Sequence, residues 1–265
     1  MSMTSKVMDS RWEARAEMEC EFRRQGRHCG AHELSDGARR LRYTTGGGLM
    51  ANDNARKYSR KMFNRIASRY ESTLAGRHSD RMKKAALQRL DQNIRGSVLD
   101  VGCGPGLLLT TLNLRYPDLH LAGLDIAPEM VRIARLRIGD GADIQLGDSE
   151  CLPWPDSSFD YVFCVDSFHH YPNGRKVLLE FRRVLVPDGR LVLADPTAPV
   201  LLRIVMNSIV RLLRMGDVQM YDRRTITGLL ERCGFRSIRW HESGSWGFVV
   251  CAIAHQAEQT HFRQT

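Results

Sequence analysis

Residues 98–106 read Val-Leu-Asp-Val-Gly-Cys-Gly-Pro-Gly. Apolar, strand-compatible positions run into three glycines at alternate places, Gly102, Gly104 and Gly106. A strand, a glycine turn and a helix in succession let backbone approach a nucleotide-like ligand closely. A Cβ there would block either the turn or the ligand. The spacing differs from G-x-G-x-x-G, which leaves room for a pyrophosphate at the helix N-terminus. Asp125 lies 19 residues beyond Gly106, where a Rossmann-like fold places an acid on a ribose diol. Further on, His169 and His170 follow an apolar run at 160–165. A neutral imidazole at that place takes a proton from a phenol, an amine or an activated carbon acid.

These groups need a scaffold. Strands are predicted near 97–101, 119–124, 143–147, 160–165 and 190–195, and helices near 107–114, 128–137, 174–184 and 200–214. Their alternation implies an α/β fold, a mostly parallel sheet covered by helices on both faces. A helix over 225–233, stopped by Gly234, precedes two more strands near 235–241 and 247–254. Upstream, Tyr58, Met62, Ile66 and Tyr70 recur at helical spacing within 54–92. Gly76 is expected to break that run, and Ser79 with Asp80 to cap a second helix through Leu90.

Several further motifs stand in order. Strand two ends Gly123-Leu-Asp-Ile126, and strand three is followed by Gly147-Asp-Ser-Glu150. Strand four ends Val165-Asp-Ser-Phe-His-His-Tyr171, and Arg183-Val-Leu-Val-Pro-Asp-Gly189 turns into strand five. With the glycine run, and with Phe63-Asn-Arg-Ile-Ala-Ser-Arg-Tyr70 ahead of strand one, this set resembles the class I S-adenosylmethionine (SAM) dependent methyltransferases. The similarity is to the small-molecule branch that includes ubiquinone and menaquinone methylases, and it covers residues 56–254.

The resemblance implies a Rossmann-like seven-stranded sheet whose last strand is antiparallel. It implies SAM as cofactor and S-adenosylhomocysteine as product, and an enzyme that moves a methyl group by in-line displacement to an O, N or C nucleophile. The donor residues it implies are Tyr70, Asp100, Gly102, Cys103, Gly104, Asp125, Ile126, Met130, Asp148, Ser149, Val165 and Asp166. Asp100 stands near the donor's amino group or the glycine loop, Asp125 on the ribose and Asp148 on the adenine amino group. Cys103 is a small filler between glycines, and Trp154 and Tyr161 are packing groups. His169 and His170 are the catalytic candidates, one of them facing the cavity. Residues 199–214 form an amphipathic substrate lid, with Asp195, Met206, Asn207 and Tyr221 as pocket-wall candidates; a core helix over the sheet is the plainer alternative.

The acceptor is narrowed only by what is missing. Asp166-Ser-Phe-His replaces the [D/N]-P-P-[Y/F] signature of base-amine and amide methylases. Asp195 is followed by Pro196 where metal-dependent catechol methylases carry Asp-Asn, so no metal is expected. A tRNA methyltransferase, or a SAM-binding partner subunit without turnover, are the competing readings.

Composition agrees with a globular domain: 43% of residues are hydrophobic and 26% charged. No run is apolar enough for a membrane span, and no secretory signal pattern opens the chain, so a cytoplasmic protein is expected. Seven scattered cysteines without a C-x-x-C predict reduced thiols. The basic excess is local: residues 50–96 hold twelve Lys/Arg against four Asp/Glu. A solvated face is the first reading of the basic helices at 54–92 within it. Attraction to an anionic surface or membrane-associated substrate is the second, and RNA, for which no module is visible, the third. Small-molecule substrate, monomer or homodimer, is the expectation. Residues 1–49 are polar and end in Thr44-Thr-Gly-Gly-Gly48, which predicts a disordered extension. The GGG-Leu-Met50 run also suggests a ribosome-binding site read as protein, with Met50 as the native start.

Overall fold

The computed structural model describes residues 47–91, 93–213, 219–244 and 246–255. The expectations for the extension and for the start at Met50 lie outside the described residues, apart from 47–49, which open the first helix. Helix α1 runs Gly47–Ile66 and continues as a 3-10 turn, Ala67–Ser72, before helix α2, Leu74–Leu87. Gly76 does not break this region. Thr73 is the cap, its Oγ1 accepting from the Gly76 N–H at 3.0 Å. Gly76 sits in the first turn because a Cβ there would come 2.1 Å from the Tyr70 carbonyl. Ser79 is therefore an interior, buried residue of α2, which also ends earlier than predicted.

From Ser97 the chain alternates. Strand β1 (Ser97–Val101) leads to helix α3 (Leu107–Arg115), β2 (His120–Asp125), α4 (Pro128–Ile138) and β3 (Asp143–Leu146). Strand β4 (Phe159–Val165) follows, then a 3-10 turn at Phe168–His170, α5 (Gly174–Val184) and β5 (Leu185–Pro196). Helices α6 (Val200–Leu213) and α7 (Arg223–Arg232) precede β6 (Phe235–Ser243) and β7 (Gly247–Ala254). Strand β5 starts five residues before its predicted bound, because Leu185 already pairs with Phe159 ahead of the Asp188-Gly189 kink.

The seven strands lie in the order β3-β2-β1-β4-β5-β7-β6. Strands β1 to β5 pair in parallel, and β7 runs antiparallel to both β5 and β6. The sheet core is two-sided. Leu99, Val162, Leu191, Phe181 and Phe248 pack on one face. Val98, Phe163, Val192, Leu109 and Met82 pack on the other. That explains why β1 is buried at all five positions and reads as an unbroken apolar run around Asp100.

Cys103, Cys164, Cys233 and Cys251 are free thiols. Cys151 is disulfide-bonded, against the expectation of reduced thiols throughout. It is exposed, on the connection from β3 to β4.

Candidate functional site

The chain order reverses between β1 and β4, so the carboxyl ends of these strands flank a crevice. A cleft of about 750 Å³ opens there. Its floor and walls include Gly102, Gly104, Asp125, Ile126, Met130, Asp148, Ser149, Val165, Asp166 and His170. Helices α1 and α2 and the turn between them supply Arg56, Ser59, Phe63, Tyr70, Ser79 and Lys83.

The glycines divide their work. Gly102 has φ +75°, and a Cβ on it would meet Ser167 Oγ at 2.5 Å, so its role is close packing against the β4 end. Gly104, at φ +54°, has nothing within 4 Å of its Cβ position and leaves the cleft open. The loop is pinned to β2 by Asp125. Its Oδ2 accepts from the Gly104 N–H at 2.8 Å, and its Oδ1 from the Ala127 N–H at 2.9 Å. Burial pushes this carboxyl up, against the pull of those backbone donors.

The roof comes from α1 and its 3-10 extension. Phe63 sets its ring edge-on to His170, centroids 5.0 Å apart, and to Tyr70 at 6.2 Å. The Tyr70 hydroxyl is pushed up to about 12, first by burial and then by the charge of Asp166. Arg56 ties the roof to the connection after β3: its Nε lies 3.0 Å from Asp148 Oδ2 and its Nη2 2.5 Å from Glu150 Oε2. Asp148 thus lines the cleft while already sharing its charge with an arginine.

At the end of β4 the backbone is strained. Asp166 has φ +54°, held by its N–H donating to the Ala194 carbonyl at 2.7 Å. Its Oδ1 lies 3.2 Å from Nδ1 of His78, from α2. Burial raises the Asp166 carboxyl, but the His78 hydrogen bond and the charges of His169, His78 and His170 outweigh it and hold the group below its usual range. The two adjacent histidines lie ring to ring, centroids 4.0 Å apart, but meet different groups. His170 lines the cleft, whereas His169 turns its Nδ1 to Asp195 Oδ1, 3.0 Å away. Asp195, at the end of β5, has no exposure, and its Oδ2 has no hydrogen-bond partner. Burial raises its carboxyl, with the His169 charge and hydrogen bond opposing.

Several residues named from the sequence lie off the cleft wall. Cys103 is 1% exposed and packs inward beneath Gly123. A small side chain between two glycines fits under the loop, so only its neighbours face the opening. Asp100 is also 1% exposed, below the glycine loop. Burial pushes it up to about 7 despite the nearby Lys83 charge. On the acceptor side, Tyr221 is 6% exposed and packs on Phe168 with ring centroids 5.2 Å apart. Both ends of the Asn207 amide are held by Met220 backbone, at 2.9 and 3.2 Å. Met206 lies half-buried on α6, while Val200, Leu201, Ile204 and Val205 expose an aliphatic stripe on that helix.

Other residues at the site escape a sequence reading. Arg56 and Lys83 of the cleft wall, and His78 behind Asp166, sit in a segment whose charge reads as a solvated face. The signal for Lys83 is helical phase: it shares the stripe Ser79, Met82, Lys83, Ala86, all buried. Lys57, Arg60, Lys61 and Arg65 on α1 are exposed, as a solvated face requires.

A scan of family models matches residues 99–193 to a methyltransferase domain. A demethylmenaquinone methyltransferase of Thermotoga maritima is 33% identical over 147 residues, 54% of this chain and 64% of that protein. A demethylmenaquinone methyltransferase of Tropheryma whipplei is 31% identical over 206 residues, 68% of this chain and 84% of that protein. The chain belongs to the class I SAM-dependent methyltransferases. A solved SAM-dependent methyltransferase from Aquifex aeolicus superposes with a TM-score of 0.52 at 22% identity, covering 65% of this chain and 89% of that one. SAM is the methyl donor of the family, and the cleft of this methyltransferase has the features that donor needs. Gly104 leaves a Cβ-sized opening, Asp125 offers a buried carboxyl pinned to the glycine loop, and Lys83 places a buried basic side chain on the wall. Donor atoms of Asp166, His169 and Asp195 lie within 4.8 Å of one another, close enough to hold a cation. The His169–Asp195 hydrogen bond accounts for two of these three groups without one.

Proposed function

We propose that this methyltransferase transfers a methyl group from SAM to an apolar, ring-bearing small molecule with an ionisable carbon or hydroxyl, with His169 as general base. The names of the two relatives support a demethylated quinone, in its reduced form, as the acceptor. When bound, SAM supplies an electrophilic methyl on a good leaving group. The protein then has to orient the donor, exclude water and receive one proton.

Asp125 holds the ribose hydroxyls and the Gly104 turn together, and Asp148 with Ser149 borders the base. Met130 and Ile126 cover the base from the β2 end, and Phe63 and Tyr70 close the roof over Asp166 and Val165. His169 receives the acceptor's proton. The observation that carries this role is the 3.0 Å contact between His169 Nδ1 and the fully buried Asp195. A carboxylate there fixes the proton on Nδ1 and orients the ring. The unsatisfied Asp195 Oδ2 favours the imidazolium that forms after proton transfer. The exposed aliphatic stripe of α6 suits an acceptor with an apolar chain.

The test is production of S-adenosylhomocysteine from SAM with demethylmenaquinol and with soluble naphthoquinols. Turnover with a quinol and none with unmodified tRNA is expected. Turnover only with tRNA would replace this acceptor class, and SAM binding without turnover on any acceptor would favour a non-catalytic partner. Asp125→Ala should weaken SAM by about 1.5–3 kcal/mol through lost charge-assisted hydrogen bonds. Unchanged affinity would remove its ribose role.

A further inference from the structure

A second cavity, of about 790 Å³, opens on the sheet face that α2 covers. Strands β5, β7 and β6 form its floor, and Arg89 to Asp91, just past the end of α2, form one wall. The helix packs on the start of β7, where a Cβ on Gly247 would meet Met82 Sδ at 2.6 Å. Farther along β7 the cavity takes the helix's place, over Cys251 and Ile253. Its floor is apolar: Leu90, Val192 and Cys251 continue the core that contains Met82 and Phe163. Val192, Cys251 and Arg239 stand in register across β5, β7 and β6. The cavity touches β4 at Tyr161, near its start, whereas the donor cleft takes Val165 at its end.

The rim is basic. Arg89, Arg190 and Arg239 line it with a single carboxylate, Asp91. Asp91 is already paired with Arg190, and Asp188 with Arg236. Among the described residues, neither the Arg89 nor the Arg239 guanidinium has a hydrogen bond or an ion pair. Both act on the same groups. Burial raises the Cys251 thiol, with Arg239, Arg89 and Arg190 opposing. Burial, then Arg89 and Arg239, push the His241 imidazole down. Two uncompensated like charges thus face one small volume, at a cost in repulsion. A bulge on the edge strand places Arg239 there: the pairing shifts register between Arg236 and Arg239, and Ser237 takes φ +51°. Such bulges re-aim side chains, and strain of this kind is kept where placement matters.

A surface for a nucleic-acid backbone repeats its cations along a stripe, and a membrane-binding face turns its apolar groups outward. Here two free guanidiniums overhang one apolar floor, a concave form that suits a small molecule. We propose that this cavity binds a small organic phosphate monoester, its phosphate forked between Arg89 and Arg239 and its organic body on Leu90, Val192 and Cys251. Guanidinium forks match phosphate oxygens two at a time. The cavity and the donor cleft lie toward opposite ends of β4, so this ligand is distinct from the methyl acceptor.

The test titrates the full chain at low ionic strength with phenyl phosphate, inorganic phosphate and phenol. Phenyl phosphate should bind more tightly than either fragment. The Arg89→Ala/Arg239→Ala double variant should weaken it by about 10-fold or more, through lost charge-assisted contacts. Lys61→Ala/Arg65→Ala removes the same charge from the exposed face of α1 and should change it by no more than about twofold. Equal losses in the two double variants, or unchanged binding in the first, overturn the site. So does inorganic phosphate binding as tightly as phenyl phosphate, which would mean an adventitious ion only. Wild-type protein that ignores phenyl phosphate but binds single-stranded RNA or phosphatidylglycerol vesicles through Arg89 and Arg239 would replace the small molecule by that partner. Should the arginine variant fail to fold, Cys251 of the wild type is the reporter. Phenyl phosphate should slow its alkylation by N-ethylmaleimide several-fold, read by peptide mass spectrometry, and unchanged alkylation overturns the site.

Discussion

His169 and Asp195 are 26 residues apart in the chain and 3.0 Å apart in space, joined Nδ1 to Oδ1 across the ends of β4 and β5. The aspartate is fully buried, so its charge is poorly screened and acts on the imidazole at short range. Its neighbour His170 packs its ring against that of His169, centroids 4.0 Å apart, but lines the donor cleft and meets Phe63 edge-on. Two adjacent residues of one type therefore carry different environments.

That difference predicts separable kinetics. Asp195→Asn and His169→Ala should each lower kcat by roughly 10²-fold with little change in the KM for SAM. The double variant should be no worse than about twofold beyond His169→Ala, since the two act as a unit. His170→Ala should act mainly on donor affinity. Steady-state assays of S-adenosylhomocysteine release check this, and additive losses in the double variant would break the pairing.

The two glycines predict opposite phenotypes. Gly102→Ala drives a methyl group into Ser167 at 2.5 Å and should cost about 1–3 kcal/mol of stability. Gly104→Ala meets no protein atom and should cost only about 1–2 kcal/mol for its left-handed backbone. Its methyl group should instead obstruct the donor, weakening S-adenosylhomocysteine more than Gly102→Ala does at matched folded fraction. Urea unfolding with parallel calorimetry separates the two effects.

Asp100 predicts a pH dependence of stability. Burial raises its carboxyl from 3.8 to about 7 in the folded chain. The folded state then holds a proton that the unfolded state releases. The contribution is fully present below pH 4 and is lost as pH rises to about 7. Asp100→Asn removes this loss, so its stability relative to wild type should improve by about 1 kcal/mol or more between pH 5 and pH 8. Urea midpoints at the two pH values measure it, and a difference independent of pH would contradict the burial argument.

A chelator decides between two uses of the Asp166, His169 and Asp195 cluster. If the hydrogen bond from His169 is what the cluster is for, activity in excess EDTA should stay within about twofold of the untreated enzyme, because the rate comes from positioning and proton transfer. Collapse in EDTA, with recovery on adding one divalent ion, would assign the cluster to a cation instead.

The strand and helix alternation, the family and the donor were all legible in the chain itself. Parallel strands buried on both faces must be written as apolar runs, and a turn that admits a ligand must be written in glycine, so local composition records them. The acid at Asp125 was legible for the same reason, since one helix and one strand separate it from the loop. Tertiary structure decided the rest. Helical phase, not charge, turned Lys83 and Arg56 inward from a segment that reads as a basic surface. The order β1-β4-β5 brought Asp195 to His169, and no sequence spacing encodes a contact between the ends of neighbouring strands. It also set Cys103 and Asp100 behind the glycine loop instead of on the cleft wall. Periodicity specifies which residues share a face of one element; which elements then meet, and which atoms they leave without partners, is settled only when the sheet closes over its core.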